Sequence, residues 1–199
     1  MVNATVGEGT VRLGKEGVFS IGKSGVDGSV DASAATFENF EHAMYVYCPL
    51  SLGTLISRNV NGSVDDGTGV ISISKRLRIG DFANGTSKIH TVRLLDGATL
   101  DLSELDVAWV PQSKFSSRTD YVSFAENARI VVELGARSPR AIIGSDDPYL
   151  VKWGNATPPD ATTKFSLSVN GEVLSQYRLR ADATGLQLGY TPGTLMIVR

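Results

Sequence analysis

Short stretches of alternating apolar and polar residues, broken by polar corners, run through this 199-residue chain, and three of them share one spacing. Val11, Leu13, Phe19 and Ile21, then Val92, Leu94, Leu100 and Leu102, then Val122, Phe124, Ile130 and Val132 place apolar residues at the same four offsets. Between the paired segments lie Gly14-Lys15-Glu16-Gly17, Leu95-Asp96-Gly97-Ala98 and Ala125-Glu126-Asn127-Ala128, where Gly or Asn supplies the backbone freedom of a corner. Alternation with a period of two is the mark of a half-buried strand. It recurs at 70–73, 77–79, 165–169, 177–180 and 186–188. Apolar residues seldom recur at helical spacing, and twenty-one glycines weigh further against helices.

The expected fold is therefore all-β. A strand, corner, strand unit builds either of two architectures. If the corner bends the chain, each strand pairs in parallel with its equivalent one coil away and a β-solenoid results. If the corner reverses the chain, antiparallel pairs give a β-sandwich or jelly roll. Strands of three or four residues, recurring in register, favour the solenoid with short strands and projecting loops; the antiparallel sandwich is the alternative. The expectation is one unit over residues 1–199. Within it, 32–52, rich in aromatics, is expected as a capping or irregular insertion, with 34–43 as a short helix or capping loop, and 149–199 closes the C-terminal end. Residues 109–120 and 135–148 are expected as irregular, loop-bearing stretches, and loops are where solenoids usually carry function.

Composition narrows the partners. Hydrophobic residues make up 42% and charged residues 20%, enough to build a core. No apolar run reaches the ~18 residues of a membrane helix, so no membrane insertion is expected. Nineteen basic and twenty-one acidic residues are scattered along the chain for a net charge of -2, and no basic stripe is present to meet nucleic acid. The single cysteine, Cys48, lies among Val46, Tyr47, Pro49 and Leu50 and reads as a buried, inert thiol. Met1 to Thr5 has neither the basic start nor the apolar core of a signal peptide. Because the strand pattern runs from near the first residue to Leu195–Val198, a segment of a longer chain with flanking domains is expected.

The windows Asp96-Gly97-Ala98-Thr99-Leu100-Asp101-Leu102 and Phe124 to Val132 resemble the passenger-type repeats of bacterial autotransporters and autotransporter-like surface proteins. The stretches Leu150-Val151-Lys152-Trp153, Lys164 to Leu167, Tyr177-Arg178-Leu179 and Asp182 to Leu188 resemble the segment that closes such arrays. That resemblance covers about half of the chain. It implies a right-handed parallel β-helix, a secreted or cell-surface location, and service as a non-catalytic stalk or adhesive surface meeting glycans or other surface proteins. It implies no catalytic residue.

The chemistry-bearing residues give three candidate roles. His42 and His90 lack metal-ligand spacing, and neither a metal nor a cofactor is expected. Gly22-Lys23-Ser24-Gly25 lacks the earlier glycine of a phosphate loop, and Asp65-Asp66-Gly67-Thr68-Gly69 lacks the terminal Glu of a calcium loop, so both read as turns. The Asn-x-Ser/Thr sequons at Asn3, Asn61, Asn84 and Asn155 also fit turns. Sugar binding is the alternative to pure scaffolding. Aromatic rings stack on sugar faces, and Trp109, Phe115, Tyr149 and Trp153 are its candidates beside Tyr121, with Trp109 the least constrained by the strand pattern. The third reading is a polysaccharide-cleaving β-helix, in which Asp146 and Asp147 supply carboxylates and Arg137 and Arg140 the basic partners.

Overall fold

The computed structural model describes residues 2–13, 19–22, 27–39, 44–57, 69–80, 92–111, 122–154 and 156–193. These are mostly strand: β1 (Val2–Thr5), β2 (Gly9–Leu13), β3 (Phe19–Ile21), β4 (Gly28–Asn39), β5 (Met44–Val46), β6 (Leu50–Ser57), β7 (Ile71–Ile79), β8 (Val92–Leu94), β9 (Thr99–Asp101), β10 (Val122–Phe124) and β11 (Arg129–Glu133). After a single short helix, α1 (Pro139–Ile143), come β12 (Tyr149–Lys152), β13 (Lys164–Val169), β14 (Glu172–Val173), β15 (Tyr177–Ala181) and β16 (Gly185–Tyr190). The fold is all-β.

An eleven-stranded sheet takes the first fourteen of these strands apart from β3, β5 and β12, and every pair in it is parallel until β13 turns back onto β14. Two tiers of strands make it. In the first, β1, the start of β4, the start of β6, the start of β7, β8 and β10 lie side by side. In the second, β2, the later halves of β4, β6 and β7, then β9, β11 and β13 do the same.

Register explains the sequence pattern. Side chains alternate across a strand, so parallel in-register pairing stacks like positions into columns. Ala32, Leu52, Ile73, Leu94 and Phe124 form one inward column; Val11, Phe37, Leu55, Leu77, Leu100, Val132 and Leu167 form another. From Phe37 to Leu167 the second column is buried throughout. Burying each such aliphatic side chain contributes about 1.5–3 kcal/mol, and truncating Leu77, which has packed neighbours on both sides along the column, would cost about 2–5 kcal/mol. The outward columns are polar except at Val131: Thr5, Asp31, Ser51, Ser72, Arg93 and Ser123 in the first tier, and Thr10, Thr36, Thr54, Arg76, Thr99, Val131 and Ser166 in the second.

Corners join the tiers. Gly97 (φ 80°) and Asn127 (φ 57°) hold the left-handed conformation expected in the two equivalent turns. In β6 the corner shrinks to Gly53 alone, and a Cβ there would lie 2.5 Å from the Ser33 carbonyl oxygen. The first of these inward columns ends in an aromatic ring, Phe124, packed edge-on against Trp153 (6.1 Å) and Phe165 (5.5 Å). Beyond them β12, β16 and β15 make a separate antiparallel sheet.

Three expectations are corrected. The helix or capping loop expected at 34–43 is, over 34–39, the second half of β4; ladders with β2 and β6 on both sides override any local helical preference, and 40–43 lie outside the described residues. The insertion expected at 32–52 otherwise supplies β5 and the start of β6. The first repeat copy is not equivalent to the other two. Val11 and Leu13 stand in the second tier and Phe19 to Ile21 pair with β5 in a different sheet, whereas Val92–Leu94 and Val122–Phe124 are partners in the first tier. In the later copies Leu100 pairs with Val132 instead of Ile130. Asp96 accounts for that shift: its carboxylate takes the Arg129 backbone N–H at 2.8 Å and the Arg129 guanidinium at 2.8 Å, pinning Arg129 beside the earlier corner.

Candidate functional site

Three of the four aromatic candidates come together where β12 meets the main sheet. Trp109 joins β12 through a parallel bridge to Val151, donating its backbone N–H to Leu150 and accepting from Lys152 at 2.7 Å. Its ring is 5% exposed and Trp153 only 2%. The Trp153 indole N–H donates to the Asp182 carbonyl at 2.8 Å, and the Tyr149 hydroxyl donates to the Asp182 carboxylate at 2.9 Å. That bond holds the Tyr149 phenol above its ordinary value, with burial acting in the same direction. Stacking on a sugar needs an open ring face, and neither tryptophan presents one. Both rings instead fill the joint between the two sheets, where their apolar area is worth more out of water. The Trp109 indole N–H is buried with no hydrogen-bond partner among the described residues. Phe115 and Tyr121 lie outside the described residues, as do His42, His90, residues 23–26 and 65–68, and the sequons at Asn61, Asn84 and Asn155.

The acidic candidates occupy the surface turn between α1 and β12. Asp147 pairs with Lys152, which lowers its carboxyl pKa, and also accepts the Tyr149 backbone N–H at 3.5 Å. Asp146 is exposed. Ser138 caps α1, accepting from the Ala141 N–H at 3.4 Å, and Arg140 lies exposed on that helix. Arg137 is turned back to the Leu102 carbonyl at 3.4 Å, and burial lowers its pKa. Asp147 and Arg137 are thus engaged locally, with Lys152 and Leu102, and no contact joins the pair of aspartates to the pair of arginines.

The densest polar cluster went unnoticed in the sequence. The outward column Arg12, Glu38, Ile56, Arg78, Asp101, Glu133 and Ser168 brings donors and acceptors together on successive strands. Arg12 pairs with Glu38 at 2.7 Å. Asp101, fully buried, accepts from Arg78 (2.7 Å), Arg76 (3.1 Å), the Ser103 hydroxyl (2.6 Å) and the Ser103 N–H (3.1 Å). Burial alone would raise its pKa; the bonds from Ser103 and Arg78 outweigh it and hold the carboxyl below its ordinary range. Glu133, on the neighbouring strand β11, accepts from Gly135 (2.6 Å), Gly171 (3.0 Å) and Ser168. Chemically this is an adhesive between strands, in which both carboxylate oxygens of Asp101 and of Glu133 are occupied.

A second unforeseen feature is a groove of about 530 Å³ between residues 158–165 and the outer edge of β15. Lys164, Arg178 and Arg180 border it, along with Asp160 and Asp182. Both carboxylates close turns: Asp160 accepts the Thr162 (2.7 Å) and Thr163 (3.1 Å) N–H groups, and Asp182 those of Thr184 (2.7 Å) and Gly185 (3.0 Å). These bonds lower both pKa values.

Among the described residues no group of three His, Cys, Asp or Glu side chains is placed to hold a metal ion, and no helix is long and apolar enough to cross a membrane. Comparison with protein-family models, curated proteins and solved structures finds no match to this chain.

Proposed function

We propose that this chain is a segment of a right-handed parallel β-helix, a solenoid of stacked coils, serving as a non-catalytic structural or adhesive module of a secreted or cell-surface bacterial protein. The observation that carries the proposal is the fate of the charged side chains. Asp101 and Glu133 lie buried in the ladder and bind one coil to the next, while Asp147, Asp160 and Asp182 fasten surface turns. Side chains used in this way give an array length and rigidity. The in-register columns of Leu, Ile and Val support the same reading, since a stack of this kind extends by adding coils without changing its cross-section. The sequence resemblance to autotransporter passenger repeats supplies the expectation of export and of flanking domains. Adhesion to glycans or surface proteins then falls to loops and edges that leave the ladder intact.

A turnover assay tests the non-catalytic reading. The purified chain, incubated with acidic polysaccharides and followed by release of new reducing ends, is expected to give no rate above buffer. Turnover that disappears in Asp146→Asn or Asp147→Asn would overturn it in favour of a polysaccharide-cleaving enzyme.

A further inference from the structure

We infer that the outer edge of β15 is a docking site for an extended acidic peptide, which adds to the β12-β16-β15 sheet as a fourth strand. The inference concerns only β15 and the segment beside it, and it does not depend on the solenoid reading.

Hydrogen-bond alternation sets which groups are offered. Tyr177 faces Tyr190 and Ala181 faces Leu186 in the antiparallel β15-β16 ladder. Just outside the strand ends, Thr191 donates to Gln176 (3.1 Å) and Asp182 donates to Gly185 (2.9 Å). Bonded pairs alternate along an antiparallel ladder, so Arg178 and Arg180 are the residues that exchange bonds with β16. Leu179 and Ala181 therefore turn their N–H and C=O groups the other way, toward the groove. β15 has β16 as its sole ladder partner among the described residues.

The opposite wall does not supply the missing partners. It begins with Pro158 and Pro159, which have no N–H to give. The groove follows β15 along residues 178–181, about 14 Å of extended chain at ~3.4 Å per residue, and continues past Asp182 and Ala183 of the following turn. Strand addition along an exposed edge uses this combination: main-chain bonds for affinity and alternate side chains for choice of partner.

Charge chooses the partner. Arg178 and Arg180 are exposed and project from the same face of β15 at alternate positions, about 7 Å apart. Neither makes a hydrogen bond or ion pair with a described residue; Arg180 acts on Asp182 only through its charge, and the carboxylates of Asp160 and Asp182 take backbone N–H groups of their own turns. Lys164 adds a third positive group on the far wall. A strand's own side chains repeat at that same ~7 Å on one face, so a peptide reading acidic, any residue, acidic presents one carboxylate to each guanidinium. Small or aliphatic residues between the acids would lie on the side of Leu179 and Ala181.

The test uses the whole chain and a fluorescein-labelled Glu-Val-Glu-Val-Glu peptide, with Lys-Val-Lys-Val-Lys and polygalacturonate as comparisons. Saturable anisotropy is expected with the Glu peptide alone, weakened at least tenfold by Arg178→Glu/Arg180→Glu. Bound peptide is expected to slow amide hydrogen exchange at Leu179 and Ala181. Ala181→Pro, which deletes one outward N–H at an edge position that tolerates proline, is expected to weaken binding at least tenfold. The exchange measurement on the unmodified chain stands even where that variant fails to fold. Absence of binding, equal binding of the Lys peptide, or Glu-peptide binding without protection at Leu179 and Ala181 would each overturn the inference. Binding of polygalacturonate with the same dependence on Arg178 and Arg180, and none on Ala181, would mark an anion site in place of a strand-docking edge and would also overturn it.

Discussion

Replacing Asp101 tests how neighbouring parallel strands are held together. Its side chain is fully buried and takes four hydrogen bonds, from Arg76, Arg78 and both donors of Ser103. Breaking a fully buried ion pair by removing one partner costs about 3–5 kcal/mol. The arginines moderate that figure, because the Arg76 and Arg78 side chains are 41% and 29% exposed and can turn toward water. Asp101→Ala is therefore expected to destabilise by about 2–3 kcal/mol near neutral pH, which for a domain of this size lowers Tm by roughly 4–12 °C. Asp101→Asn keeps the shape and loses the charge, so it should lie between the two. The pH dependence carries the sign. The folded-state pKa of Asp101 is depressed below its unfolded value, so its contribution is fully present above the ordinary carboxylate range and is lost as pH falls through the folded value. The gap between wild type and Asp101→Asn, read from urea unfolding followed by circular dichroism, should therefore be wide at pH 7 and narrow below pH ~4. A gap under ~0.5 kcal/mol at pH 7, or one that does not change with pH, would refute the assignment of Asp101 as the tie between strands.

Other consequences follow from the same contacts. Gly53→Ala puts a Cβ 2.5 Å from the Ser33 carbonyl and 3.0 Å from that of Ala35, so thermal melting should show a loss of more than ~2 kcal/mol. Trp109→Ala, which empties a core position, should cost about 3–5 kcal/mol, and any change in glycan binding should track the fraction unfolded. Trp153→Phe, which removes only the indole bond to the Asp182 carbonyl, should cost about 1 kcal/mol plus a small packing loss. Asp182→Asn should bring the Tyr149 phenol pKa down toward its ordinary value, since the bond to that carboxylate is the main cause of its elevation; ultraviolet titration of the phenolate reads this directly.

Local alternation made the first tier legible. Val92, Leu94, Val122 and Phe124 face inward and pair as their spacing expects. The second tier was misread by two positions, and the reason is physical. A slip of one residue flips every side chain to the other face, but a slip of two leaves alternation intact, so Ile130 and Val132 satisfied the pattern equally. Long-range contacts separate them: Asp96 with Arg129, and the backbone bonds of Gly97 to Arg129 and of Val131 to Ala98. The tryptophans are legible as large apolar groups, but no neighbour in sequence shows that they are buried; the backbone of Trp109 is joined to Leu150 and Val151, 41 and 42 positions away. Asp101 and Glu133 sit at positions alternation assigns to solvent, and their burial comes from Arg76, Arg78 and Ser168 on neighbouring strands. One local signal was present. Asp101-Leu102-Ser103 and Glu133-Leu134-Gly135 place a backbone N–H two residues after a carboxylate, the arrangement of a side-chain-closed turn. The groove beside β15 had no such signal, since the segments that form it meet only in the folded chain.

The central claim is that equivalent strands stack coil upon coil, and the distance from Thr10 to Ser166 tests it most directly. Both residues lie on one outward column, at the first and last of seven parallel strands. At ~4.8 Å per strand the backbone separation is about 29 Å. Nitroxide labels at Thr10→Cys and Ser166→Cys in a Cys48→Ala background, measured by pulsed electron spin resonance, should give one narrow distribution within several ångströms of that value. A distribution centred below ~20 Å, as strands returning across a sandwich would produce, or a broad one without a maximum near 29 Å, would contradict the stacked-coil account.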